Sequence, residues 1–214
     1  MSDQHSPLNI KDYARGIESP LNVLGIGSSM RKDSFGTEVL KIILNKVTEN
    51  SGQSRLLNLF DNPLPIYSPD NDTETPDLRR ATELVNWADA FIFATPDYHG
   101  SMAGSLKNFL DYYWSEFAGK TFGYVCSSHE KGLTVMDQMR TAIRQCYGWS
   151  LPYGISINST MDFDERRRII NKQLVRRINN FARDLVVYGT LINSQFRKDL
   201  NSTIENSYAV HYRK

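Results

Sequence analysis

The chain has 214 residues, enough for one full-sized domain rather than two small ones, and its 40% hydrophobic and 23% charged residues are those of an ordinary globular protein. A net charge of +1 gives no electrostatic case for nucleic acid or an anionic membrane as partner. Cys126 and Cys146 lie in apolar segments without metal-ligand spacing, which argues against a disulfide framework or a cysteine-held cluster.

The start, "MSDQHSPLNIKDYARG", lacks the basic residues and apolar core of a signal peptide, and no apolar run approaches a membrane span. The expectation is a soluble, cytoplasmic protein. Residues 1–20, with Tyr13, read as an N-terminal extension. A domain follows over 21–190, and 191–214 read as a C-terminal extension with Phe196 and Tyr208.

In chain order the first element is the apolar run "LNVLGIG" (21–27), a strand. "TEVLKIILNKVTEN" (37–50) has helical spacing, "RLLNLF" (55–60) is a second strand, and "DLRRATELVNWADA" (77–90) a second helix. The third strand, "AFIFAT" (90–95), is followed by a helix over 104–117, a strand "TFGYVCS" (121–127) and a helix over 133–148. A fifth strand, "YGISI" (153–157), and a helix over 164–189 complete the series. Continuous apolar strands are those buried on both faces of a parallel sheet. Their alternation with helices predicts a flavodoxin-like, doubly wound five-stranded α/β sheet of order 2-1-3-4-5, with helices on both faces. Ligands in such a sheet sit beyond the carboxyl ends of the strands at the point where strand order reverses. The loops after strands one and three meet there.

The first of these, "GIGSSMRKDSFGTEVLK" (25–41), runs from strand to helix. Unpaired N–H groups of the first helical turn, hydroxyls of Ser29 and Ser34 and the Arg31 guanidinium would make a cup for a phosphate. A plain serine-rich turn capped by Ser34 is the alternative. A P-loop is absent, and the dinucleotide fingerprint fails at Met30, where its last glycine belongs, so a monophosphate is indicated.

The second, "PDYHGS" (96–101), offers a rigid Pro96, backbone hydrogen-bonding groups, an aromatic Tyr98 and a Gly100 that permits close approach. These suit the polar edge of a planar ring. His99 reads as a hydrogen-bonded loop residue. Ser101 has no nucleophile elbow, and no His/Asp/Glu cluster has metal-site spacing.

"S-x-R-x-x-S-F" at 29–35 and "P-D-Y-H-G-S-x-x-G-x-L-K-N-x-x-D" at 96–111 resemble the NADPH-dependent FMN reductase family, flavoproteins that reduce quinones, azo compounds and chromate; "DNPLPIYSPD" (61–70) resembles its segment after strand two. The resemblance covers about residues 21–160. It implies FMN as cofactor, with Ser29, Arg31, Ser34, Phe35 and Gly36 at its phosphate. Pro96, Asp97, Tyr98, His99 and Gly100 would lie at its ring, and Ser127 and Ser128 in the loop 127–132 would close the third side. The chain departs from the family at Asp97 and His99, at Ala103, and at Ser127 and Ser128, where a Gly-Gly pair is expected.

The function implied is an FMN-dependent oxidoreductase. NADPH or NADH would reduce it, and a small acceptor, such as a quinone, free flavin, azo compound or oxidised metal ion, would reoxidise it in ping-pong fashion. No catalytic acid or base is expected from the protein. The resemblance also implies a homodimer or tetramer, with "NFLDYYWSEF" (108–117) either at the interface or in the core. The alternatives are a flavodoxin-like electron carrier and a non-enzymatic interaction protein. Lys107, Asn108 and Asp111 read as support for the loop or as contacts to a partner subunit. The basic run over 165–177 reads as a solvated helix face.

Overall fold

The computed structural model describes residues 19–70 and 74–212. The N-terminal extension, Tyr13 included, falls outside the described residues except for its last two positions. Parallel strands β1 (Asn22–Gly27), β2 (Gln53–Asn58), β3 (Ala90–Tyr98) and β5 (Thr121–Ser127) form the sheet, in the order β2-β1-β3-β5. The outer edge of β5 is shared by two short parallel strands, β6 (Trp149–Ser150) and β7 (Ile155–Ile157). Pro152 lies between them and cannot donate to a ladder, so the fifth strand is split. Apart from that split, the arrangement is the flavodoxin-like one expected from the sequence. β4 (Ser101–Met102) is the exception in direction, folding back antiparallel on the end of β3.

The sheet is buried on both faces. Along β3, Phe91 and Phe93 point into one core and Ala90, Ile92 and Ala94 into the other, the two-residue period of a strand. The first core packs under α2 (Pro76–Trp87), α3 (Gly104–Asp111) and α4 (Leu133–Gln145). Its centre is a phenylalanine cluster in which Phe91 stacks on Phe122 at 4.9 Å and 9° and meets Phe117 edge-on at 5.3 Å. Truncating any one of these to alanine would cost about 3–5 kcal/mol. The second core packs under α1 (Phe35–Glu49) and α5 (Lys172–Leu200).

Two helices differ from their sequence pattern. The helix expected over 104–117 stops at Asp111; Phe109, Tyr113 and Phe117 turn into the core and Trp114 is left 62% exposed. The helix expected over 164–189 begins eight residues later and continues to Leu200. Its start is delayed because side chains occupy the backbone donors. Asp162 accepts from Asn158 N and Asn171 Nδ2, each at 2.7 Å, and Asp164 accepts from Arg168 N at 2.8 Å. Gly189 does not end α5, since a Cβ there would press on Leu21, so the glycine allows close packing instead. No helix among the described residues is long and apolar enough to cross a membrane.

Candidate cofactor site

At the carboxyl ends of β1, β3 and β5 three segments enclose a cavity of about 520 Å³. The first is the turn from β1 into α1. Ser28 is fixed by its N–H and hydroxyl, both donating to Ala94 O at 2.9 Å, and Ser105 Oγ of α3 donates to Ser28 O. Ser29, only 4% exposed, accepts from Arg31 N at 3.3 Å. Ser34 caps α1 by accepting from Thr37 N at 3.3 Å. The amides of Phe35 and Gly36, at the start of the helix, have no intrahelical acceptor. Gly36 is buried, and a Cβ on it would project between Ser34 Oγ at 3.5 Å and Ser127 Cβ at 3.9 Å.

The second segment was read as a loop but is a hairpin. β3 continues through Asp97 and Tyr98, which pair with Met102 and Ser101. His99 and Gly100, with φ of 58° and 73°, form the two-residue turn. The Asp97 carboxylate accepts from Gly100 N at 2.9 Å. Gln138 of α4 grips the tip: its Oε1 accepts from Ser101 Oγ at 3.0 Å and Met102 N at 3.3 Å, and its Nε2 donates to Gly100 O at 3.3 Å. His99 is exposed and is not among the residues that line the cavity.

The third segment is 127–132. Ser128 N donates to Ile157 O at 2.9 Å, Glu130 N donates to Ser128 Oγ at 3.0 Å, and Ser128 Oγ donates to Asp97 Oδ2 at 2.8 Å. Of the two serines that stand where glycines are expected, Ser128 therefore ties this loop to the hairpin through its hydroxyl. Gly132 has φ 59°, and a Cβ there would overlap Cys126 Sγ. Burial pushes the Cys126 thiol up to about 12, helped by the Asp97 carboxylate, so it stays protonated and inert beside the site.

Of the residues singled out in the sequence, Ser29, Arg31, Ser34, Phe35, Pro96, Asp97, Tyr98, Gly100, Ser127 and Ser128 line the cavity; Gly36 and His99 do not. His129 and Glu130, in the 127–132 loop expected at the third side, also line it, and the sequence reading missed Asp33, Ser159 and Arg167. The helical residues of the second motif are supports. Asn108 Oδ1 accepts from Tyr67 N and its Nδ2 donates to Pro65 O, both at 2.8 Å, while Lys107 pairs with Asp111 on the surface.

A helix N-terminus, a tight hairpin and a serine loop meet at the switch point of a flavodoxin-like sheet, the place where ligands sit in doubly wound folds. The chain belongs to the NADPH-dependent FMN reductase family, whose model matches residues 21–161. It is 37% identical over 95 residues to an NAD(P)H-dependent FMN reductase of Pseudomonas aeruginosa, covering 43% of this chain and 49% of that protein. It is 27% identical over 114 residues to an NADPH azoreductase of Bacillus sp. (strain OY1-2), covering 51% of this chain and 64% of that protein. The chain thus spans about half of one relative's length and less than two thirds of the other's. Among solved structures, a flavoenzyme NAD(P)H:(acceptor) oxidoreductase of Paracoccus denitrificans superposes with a TM-score of 0.64 at 20% identity, over 80% of this chain and 97% of that one. At that identity the likeness concerns the fold.

Proposed function

We propose that the protein is an FMN-dependent NAD(P)H oxidoreductase and that the cavity holds the FMN. The observation that carries this reading is the convergence on one cavity of the α1 N-terminus, the 96–101 hairpin and the 127–132 loop. Its volume of about 520 Å³ suits a cofactor of that size.

The residues present fit the group. The open amides of Phe35 and Gly36, the hydroxyls of Ser29 and Ser34 and the Arg31 guanidinium are the donor set a phosphate monoester needs. Gly36 is buried beside that cup, and a Cβ there would make ordinary contacts with Ser34 Oγ and Ser127 Cβ. Pro96, Asp97, Tyr98 and Gly100 would flank the ring on one side and Ser127 and Ser128 on the other. Tyr98, 44% exposed, is free to pack against a planar face. When bound, FMN would supply hydride acceptance from NAD(P)H and a second half-reaction with a small electron acceptor such as a quinone or azo compound.

The protein's part is to bind, orient and exclude water. His99 lies outside the cavity and Cys126 is a buried neutral thiol, so neither is assigned a proton-transfer role. The outward Trp114 and the half-exposed Tyr67, in edge contact with Tyr112 at 5.2 Å, support a homodimer joined near α3. Steady-state NAD(P)H oxidation by FMN-loaded protein with a quinone acceptor tests the reading. Tight FMN binding without any acceptor-dependent turnover would favour an electron carrier instead.

A further inference from the structure

Arg167 stands outside the segment that the family model matches. It occupies the stretch where the sequence pattern predicts helix. Its backbone is instead left-handed, with φ 61°, a conformation that a residue with a Cβ resists. A closed local network holds it so: Arg167 N donates to Asp164 O at 2.8 Å, Asp164 N donates to Arg168 O at 3.0 Å, and Phe163 bridges Ile169.

That geometry lays the side chain against the phosphate cup, at the wall of the cavity. The guanidinium carbon is 3.9 Å from the centroid of the Phe35 ring, which Phe163 backs at 4.5 Å. Nη2 donates to Asp33 O at 2.9 Å, and Nε reaches both carboxylate oxygens of Glu38 at 3.1 and 3.2 Å. One side chain therefore grips the turn, the ring and the first turn of α1. A lysine could offer neither the planar stack nor the fork of donors.

Glu38 explains why such a grip is useful. A carboxylate in the first turn of α1 favours the helix, because the helix dipole presents positive charge there. The same carboxylate competes with any second anion held at that N-terminus. We propose that Arg167 is a positioning residue for the phosphate cup: it neutralises Glu38 and fixes the 33–35 turn, so that the α1 N-terminus is available to a phosphate. The inference rests on the cavity being the FMN site proposed above. Arg31 remains the cation for the phosphate itself; among the described residues it has no ion-pair partner. Asp33 and Glu130 also bring carboxylates to the cavity, and they set a background that the variants below leave unchanged.

The test compares FMN and riboflavin dissociation constants, from fluorescence titration of apoprotein, for the wild type, R167M, E38Q and R167M/E38Q. R167M should weaken FMN on the order of tenfold at low ionic strength, with the gap narrowing at about 1 M salt, where charges are screened within about 3 Å. Riboflavin, which lacks the phosphate, should change less than about twofold. Adding E38Q to R167M should bring FMN back to within about threefold of wild type, which a merely structural role would not allow. An FMN loss as large in the double variant as in R167M, or equal losses for FMN and riboflavin, would overturn the proposal. Unchanged FMN affinity in R167M, with the wild type still preferring FMN over riboflavin, would refute Arg167 alone. A wild type that does not discriminate the two flavins would overturn the cup itself, and the proposal with it.

Discussion

Ser128 Oγ donates to Oδ2 of Asp97 at 2.8 Å, across the gap between the 127–132 loop and the hairpin at the end of β3. The other carboxylate oxygen of Asp97 is taken by Gly100 N. One carboxylate thus sets the hairpin turn and latches the opposite wall of the cavity to it.

Removing the latch should loosen the cavity more than it destabilises the fold. A hydrogen bond to a charged group contributes about 1.5–3 kcal/mol when buried and less at a partly open site. Ser128→Ala should weaken FMN by about three- to tenfold, with a loss of about 1 kcal/mol in urea denaturation. Asp97→Ala should exceed it in both readouts, because Gly100 N loses its acceptor as well. Unaltered FMN affinity in Ser128→Ala would show that the latch does not shape the site.

Ser34 carries two duties that one substitution separates. Aspartate is as good an N-cap as serine, so Ser34→Asp should leave the thermal midpoint of the apoprotein unchanged or slightly raised. The same carboxylate would stand against the phosphate, and FMN retention through desalting should be lost. Undiminished FMN affinity in a folded Ser34→Asp protein would remove the phosphate from this cup.

His99 is assigned a conformational role. His99→Ala should retain NAD(P)H oxidation within about threefold, while His99→Val should cost about 1–2 kcal/mol of stability, since a β-branched residue resists φ 58°. Complete loss of turnover in His99→Ala with FMN still bound would give the histidine a chemical role.

Gly132 is the glycine retained in the third wall. Gly132→Ala combines a left-handed backbone with a Cβ overlapping Cys126 Sγ, and should cost about 1–3 kcal/mol or more. Cys126→Ala in the same chain should recover the part due to Sγ and leave the parts due to φ and to the Cys126 Cβ, 2.9 Å away. Additive losses in the double variant would show that the two residues do not press on each other.

Lys120 gives the stability a pH dependence that can be isolated. Burial lowers its ammonium to about 8, against the opposing pull of Asp89 and Glu116. Its amine donates to Val85 O at 2.9 Å. Because the folded value lies below the unfolded one, the unfolded chain binds more protons between about pH 8 and 10.5. The penalty is full below pH 8 and is relieved as pH rises. Between pH 7 and pH 9 the wild type should gain about 1 kcal/mol relative to Lys120→Met, measured by urea denaturation. A difference that stays flat over that interval would show that Lys120 is not desolvated in the fold.

The layout of the sheet was legible because buried parallel strands leave continuous apolar runs, as in 90–95 and 121–127. Where a single residue held two meanings, the sequence misled. The helix pattern read over 164–189 ends at Gly189, yet the helix runs on to Leu200 and the missing side chain allows close packing against Leu21. The His-Gly pair at 99–100 is a hairpin turn without the usual Asn or Asp, so it passed as loop. Residues of the second motif were readable as a group because they are contiguous. Arg167 was not, since its partners Asp33 and Glu38 lie 134 and 129 positions away in the chain.

FMN bound in this cavity would exchange electrons with a nicotinamide. The visible absorption spectrum of freshly purified protein, recorded before and after anaerobic addition of NADPH, tests it most directly. A yellow flavin spectrum that survives desalting, bleaches with NADPH and returns with a quinone is the predicted result. A colourless protein that cannot be reconstituted with FMN would contradict the account.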